Sequence, residues 1–282
     1  MRPMITTSEL AEQLSGPESA RSVVLDVRWR LAGPPGADSY REAHLPGAVY
    51  VDLDTALAGE PGEGGRHPLP EPETLQRHLR AAGVRAGHPV VVYDDSDGSV
   101  AARAWWLLRW AGHAEVAVLD GGFAAWAEEE RPLTDEIPSP AEGDIVVEPG
   151  GMPVLDAAGA ATLARDGLLF DARARPRYAG ETEPIDPRAG HIPGAVNAPF
   201  SGHVGEDGRW RDASELAERF EGLGVAPETP VGVYCGSGVT ASSVVLALEV
   251  AGHPEPAALY AGSWSHWSRD PERPVATGDL PG

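Results

Sequence analysis

The chain has 282 residues, 42% apolar and 23% charged, which suits about two globular domains and excludes collagen-like or disordered chains. A formal net charge of -21 argues against nucleic acid and anionic membranes as partners. All 22 basic residues are arginines, which excludes lysine Schiff bases and the phosphate-loop lysine, and the single cysteine, Cys235, excludes an internal disulfide or a multi-cysteine metal site.

No apolar run approaches the roughly 20 residues of a membrane-spanning helix. Residues 1–14 lack a basic-then-apolar leader pattern, so a cytoplasmic protein is expected.

In chain order, residues 23–27 form an apolar run short enough for a buried strand. A helical pattern covers 73–82, a second strand 90–93, a helix 103–111 and a third strand 116–119. The stretch from Pro132 to Met152 is rich in Pro, Gly and acids and shows no sustained period. The order then repeats: strand 168–171, helix 214–222, strand 231–234, helix 240–251 ending at Gly252, and strand 257–260. Such alternation predicts an α/β fold, with a parallel sheet flanked by helices in each half.

The residues repeat as well as the elements. Asp26-Val27-Arg28 followed by His44-Leu45-Pro46-Gly47-Ala48-Val49 is answered by Asp171-Ala172-Arg173 followed by His191-Ile192-Pro193-Gly194-Ala195-Val196. Ala111-Gly112-His113 is answered by Ala251-Gly252-His253, and Asp120-Gly121-Gly122-Phe123 with Trp126 by Tyr260-Ala261-Gly262-Ser263 with Trp267. Two tandem copies of one domain are expected, at residues 1–135 and 150–282.

The copies differ in chemistry after the tyrosine that ends the middle strand. The first reads Tyr93-Asp94-Asp95-Ser96-Asp97-Gly98 and the second Tyr234-Cys235-Gly236-Ser237-Gly238-Val239-Thr240. In parallel α/β sheets, sites lie at the carboxyl ends of strands, where Cys235 falls. Gly236 and Gly238 are expected to curl the loop through backbone conformations closed to other residues. The N–H groups from Gly236 to Thr240, with the helix start, would form a nest for a thiolate. Cys-x5-Arg phosphatase chemistry is disfavoured, because the sixth residue after Cys235 is Ala241. Arg177 and Arg188, in the connection before His191, are candidates for a carboxylate clamp. Arg28 and Arg173 recur in both copies, which favours a structural role. Asp94, Asp95 and Asp97 are read as solvated loop carboxylates.

Taken together, the Asp-x-Arg pairs, the His-x-Pro-Gly-Ala-Val pairs, the Asp-Gly-Gly-Phe segment and the Cys235 loop resemble the two-domain rhodanese-family sulfurtransferases. The loop is similar to that of the 3-mercaptopyruvate branch, whereas the thiosulfate branch carries two cations after its cysteine. The resemblance implies a first copy that is not catalytic. It implies a second copy in which Cys235 accepts sulfur from 3-mercaptopyruvate as a persulfide and passes it to a thiol or cyanide. Ser237 would assist proton delivery, Gly236, Gly238, Val239 and Thr240 would hold the anions, and Arg177 with Arg188 would bind the donor. By analogy with relatives that pair a histidine of the first copy with the loop serine, His44 and Asp38 are expected to polarise Ser237. No metal or organic cofactor is implied. The expected partners are a small-molecule sulfur donor and a thiol acceptor such as a small redox protein or low-molecular-weight thiol. Two other readings stand beside this one: thiosulfate:cyanide sulfurtransfer, and a non-catalytic sulfur-carrier or binding module.

Overall fold

The computed structural model describes residues 1–17 and 21–282. The chain divides into two compact units. One comprises Met1–Gly59, Pro70–Gly151 and Val204–Trp210; the other comprises Glu60–Leu69, Met152–His203 and Arg211–Gly282. Each half of the chain therefore gives a short segment to the unit built mainly by the other half.

In the first unit, β1 (Met4–Ile5), β2 (Val23–Asp26), β3 (Val49–Tyr50), β4 (Val90–Tyr93) and β5 (Val116–Leu119) form a parallel sheet in the order β1-β5-β4-β2-β3. β4 and β5 are buried at every residue, as the uninterrupted apolar runs require of strands covered on both faces. The helices of this unit are α1 (Thr7–Ser15), α2 (Gly36–Glu42), α3 (Leu53–Ala56), α4 (Pro72–Ala81), α5 (Ser99–Trp110) and α6 (Gly122–Glu128). The Thr6 side chain accepts the Glu9 N–H while Glu9 accepts that of Thr6, so α1 starts at a reciprocal cap. Trp105, Trp106 and Trp126 are all buried.

The second unit contains α7 (Ala157–Asp166), β6 (Leu168–Asp171), α8 (Arg175–Tyr178), β7 (Val196–Asn197), a 3₁₀ turn at Phe200–His203, α9 (Ala213–Gly222), β8 (Val231–Tyr234), α10 (Val239–Val250), β9 (Ala258–Leu259) and α11 (Ser263–Trp267). Its parallel sheet runs β7-β6-β8-β9, repeating the β3-β2-β4-β5 order of the first unit. The place of β1 is taken by one parallel bridge, Val154 to Leu259. Trp264 and Trp267 lie in the core of this unit with Leu169, Tyr234 and Tyr260.

The repeated motifs are scaffold. Arg28 binds Asp26 at 2.6 Å and the Ala43 carbonyl at 2.7 Å; Arg173 binds Asp171 at 2.5 Å and the Gly190 carbonyl at 2.7 Å. Each pair is almost fully buried, where an ion pair persists only if its other hydrogen-bonding groups are satisfied. Tyr93 donates to Asp26 at 2.6 Å and accepts the Leu45 N–H; Tyr234 accepts the Ile192 N–H in the same way. The aspartate, arginine and middle-strand tyrosine thus tie β2 to β4, and β6 to β8, just below the loops that follow β4 and β8.

Candidate active site

Cys235 follows β8 directly, and α10 begins four residues later. Its N–H donates to Ser263 Oγ at 3.1 Å, and its carbonyl accepts the Trp264 N–H at 3.0 Å. The Gly236 carbonyl accepts the Ser265 N–H at 2.9 Å, so the start of α11 fixes the start of the loop. Cys235 is 2% exposed, and the Gly238 N–H donates to its Sγ at 3.0 Å. Of the ring of amides expected around the sulfur, Gly238 is the one that meets it.

The two glycines serve different ends. Gly238, the residue before α10, has φ +86°, and a Cβ there would lie 2.5 Å from the Ala261 carbonyl oxygen. Gly236 lies outside the positive-φ region, which corrects the expectation of a special conformation at both positions. What Gly236 provides is space, because a Cβ would lie 2.8 Å from Arg66 Nη2 and 3.4 Å from Arg177 Nη1.

Arg177 lies beside the loop, its Nη1 3.4 Å from where a Gly236 Cβ would sit. Its Nη2 donates to Glu183 at 2.7 Å and to Asp186 at 3.3 Å. Asp186 is shared with Arg66. Burial works against the charge on Glu183, but hydrogen bonds from Arg177 and the Asp186 and Ile185 N–H groups prevail and hold its carboxyl below the usual range. Burial pushes the Asp186 carboxyl up, against the attraction of Arg66.

Arg188 is a correction. Its guanidinium donates to the carbonyls of Ser268, Arg273, Trp267 and Asp270 at 2.8, 2.9, 3.2 and 2.6 Å. It fastens the chain after α11, and these bonds use four of its five N–H donors. Arg173, expected to be structural, is buried against Asp171.

His44 and Asp38 are also corrections. His44 is fully buried and stacks on Tyr40, and its ring nitrogens lie 2.7 Å from the Tyr40 carbonyl and 3.1 Å from that of Glu136. His191 repeats this arrangement on Tyr178. Asp38 is exposed and pairs with Arg41 at 2.6 Å. The histidine at the loop serine is His67, whose Nδ1 shares a 2.8 Å hydrogen bond with Ser237 Oγ.

Arg66 and His67 belong to the segment Glu60–Leu69, which packs within the second unit. The Arg66 N–H donates to Ser265 Oγ at 3.0 Å, and Arg269 binds the Gly62 carbonyl. Sequence reasoning missed both residues. A signal was present: Gly62-Glu63-Gly64-Gly65-Arg66 is answered by Gly205-Glu206-Asp207-Gly208-Arg209 in the second half. The answering segment packs within the first unit, where the Trp210 N–H donates to Asp120 at 2.8 Å and Arg209 binds Glu129 at 2.6 Å.

The first copy shows what the strand-to-helix turn holds. Asp94, in the place of Cys235, is buried rather than solvated as expected. Its Oδ1 accepts the N–H groups of Ser96 and Gly98, and its Oδ2 those of Val100 and Ala101, at 3.0–3.1 Å. Burial pushes its carboxyl up to about 6 against these bonds. Asp95 pairs with Arg30, and Asp97 accepts the Ser99 N–H at 3.1 Å. Because Gly98 and Gly238 both precede their helices in the left-handed conformation, Val100 and Ala101 correspond to Thr240 and Ala241. Val239 and Thr240 open the first turn of α10, the turn whose counterpart in α5 holds an anion.

The Rhodanese-like domain family profile matches residues 6–129 and 156–270. A Pseudomonas aeruginosa protein named "Probable 3-mercaptopyruvate sulfurtransferase" is 48% identical over 98% of both chains. The 3-mercaptopyruvate sulfurtransferase of Escherichia coli K12 is 35% identical over 94% of this chain and 95% of its own. A Mycobacterium tuberculosis protein named "Putative thiosulfate sulfurtransferase SseB" is 42% identical over 98% of this chain and 97% of its own. The crystal structure of the 3-mercaptopyruvate sulfurtransferase SseA from Escherichia coli superposes with a TM-score of 0.82 at 32% identity, covering 94% of this chain and all of that one. With two rhodanese-like domains in tandem, the same sheet order in both and its one thiol in the second, the chain belongs to the rhodanese-like family of sulfurtransferases.

Proposed function

We propose that the chain moves sulfur from 3-mercaptopyruvate to a thiol or cyanide through a persulfide on Cys235. The Cys235 thiolate attacks the donor's sulfur, and the carbon–sulfur bond breaks with its electron pair leaving on carbon. Pyruvate departs as the enolate and takes a proton. Ser237 supplies that proton and recovers one through His67, the neighbour bonded to its hydroxyl. Arg177 holds the donor's carboxylate, to which a planar guanidinium is suited. An acceptor thiol or cyanide then attacks the outer sulfur and releases the Cys235 thiolate.

The observation that carries this reading is the meeting of three groups at one strand end: Cys235 Sγ on the Gly238 N–H, Ser237 on His67, and Arg177 facing Gly236. The first copy supports it. N–H groups equivalent to those of Gly238, Thr240 and Ala241 hold the Asp94 carboxylate there, and the outer sulfur of a persulfide is an anion suited to the same donors.

Incubation with 3-mercaptopyruvate, gel filtration and intact-mass measurement test the reading. A gain of about 32 Da on Cys235, removed by cyanide and absent from Cys235→Ser, is the expected result. Full turnover by Cys235→Ser would refute it. Thiosulfate is the second reading, favoured by the two guanidinium groups facing Gly236. Comparison of kcat/KM for the two donors decides between them.

A further inference from the structure

We propose that Arg66 is the second arm of the donor clamp, taking the part the sequence suggested for Arg188. The inference rests on the sulfur-transfer reading and names a residue within it. Each arginine at the loop is anchored along one edge. Arg177 gives Nε and Nη2 to Glu183, and Nη2 also to Asp186; Arg66 gives Nη1 to Asp186. The remaining terminal nitrogens, Arg177 Nη1 and Arg66 Nη2, have no acceptor among the described residues. They are also the nitrogens closest to the open face of Gly236, the residue after the nucleophile. Four N–H bonds from two guanidinium groups thus face one small space at the cysteine loop.

An anion with two coplanar oxygens is the ligand such a fork pair fits. In a 2-oxo acid the carboxylate can lie between the two arginines, leaving the carbon-bound sulfur directed at Cys235. Asp186 is the positioning residue: one carboxylate bonded to both arginines holds two like charges at a fixed spacing. Its side chain is 5% exposed, whereas those of Arg66 and Arg177 are 22% and 21% exposed, so the acid lies beneath and the guanidinium groups are open to a ligand from solvent. The backbone keeps Arg66 in place independently of the donor, because its N–H is bonded to Ser265 Oγ.

The test compares wild type, Arg66→Met and Arg66→Lys in each half of the reaction. Donor KM is measured with 3-mercaptopyruvate at saturating cyanide. The second half is followed separately, by loading each enzyme with excess donor, desalting it and mixing it with cyanide. Arg66→Met is expected to raise donor KM about tenfold or more, with Arg66→Lys between it and wild type, while persulfide transfer to cyanide stays within about twofold. A donor KM within about threefold of wild type overturns the assignment, as does equal slowing of both halves, which would make Arg66 only a prop for His67. The two failures are distinguishable. If wild type takes up sulfur on Cys235 and Arg66→Met binds donor normally, only the role of Arg66 falls; if wild type takes up none, the sulfur-transfer reading falls with it.

Discussion

Alanine at each glycine of the Cys235 loop separates two demands that look alike in sequence. At Gly238 the backbone is left-handed, which costs alanine about 1–2 kcal/mol. Its methyl carbon would also lie 2.5 Å from the Ala261 carbonyl oxygen, inside the ~3.3 Å of a close C···O contact. That oxygen is backbone, so relief requires moving the chain before α11, at a further cost of about 1–3 kcal/mol. Gly238→Ala is therefore expected to lose about 2–5 kcal/mol and to lower the melting midpoint by roughly 5–15 °C. At Gly236 φ is ordinary and the obstacle is the end of the Arg66 side chain, which can swing aside. Gly236→Ala should stay within about 0.5 kcal/mol of wild type while losing affinity for the donor. Calorimetry on both variants, with donor kinetics on Gly236→Ala, checks the pair. A Gly238→Ala midpoint within about 2 °C of wild type, or an equal loss at Gly236, would refute the reasoning.

His67→Ala should lower kcat with 3-mercaptopyruvate about a hundredfold, and Ser237→Ala should do the same. The double variant should be no worse than either, since the pair acts as one unit. Acid stability should depend on His203. Burial and nearby Arg219 lower the pKa of His203 to about 3, so the folded state holds it neutral. The unfolded chain takes up a proton near pH 6.5 that the folded chain refuses, so the stability contributed by His203 is complete above that pH and declines below it, until about 3. Between pH 6.5 and 5 the loss is about 2 kcal/mol. Urea midpoints of His203→Gln should fall less steeply over that range, and parallel curves would exclude the histidine as the cause.

The sheets were legible because buried parallel strands leave continuous apolar runs: β4, β5, β6 and β8 lie where those runs do. The two-residue strands β1, β3 and β7 are too short to carry a period. Helix α5 begins at Ser99, four residues before the pattern suggests, because Asp94 and the left-handed Gly98 start it inside a stretch that reads as loop. Cys235 and its loop were visible because that is where the copies diverge. Ser237 could not reveal its partner, because His67 lies 170 residues away and arrives on a segment exchanged between units. His44 was the misleading histidine: its motif repeats because both copies need an imidazole wedged under a tyrosine.

The exchange of Glu60–Leu69 for Val204–Trp210 makes each unit depend on residues from both halves of the chain. Cut at the Pro- and Gly-rich joint, residues 150–282 would keep the sulfur and Arg177 but forfeit His67 and Arg66. The surroundings of the cysteine therefore include a ten-residue loan from the other half of the chain. Neither half can be cut away without also removing a stretch that packs inside the unit built by the other.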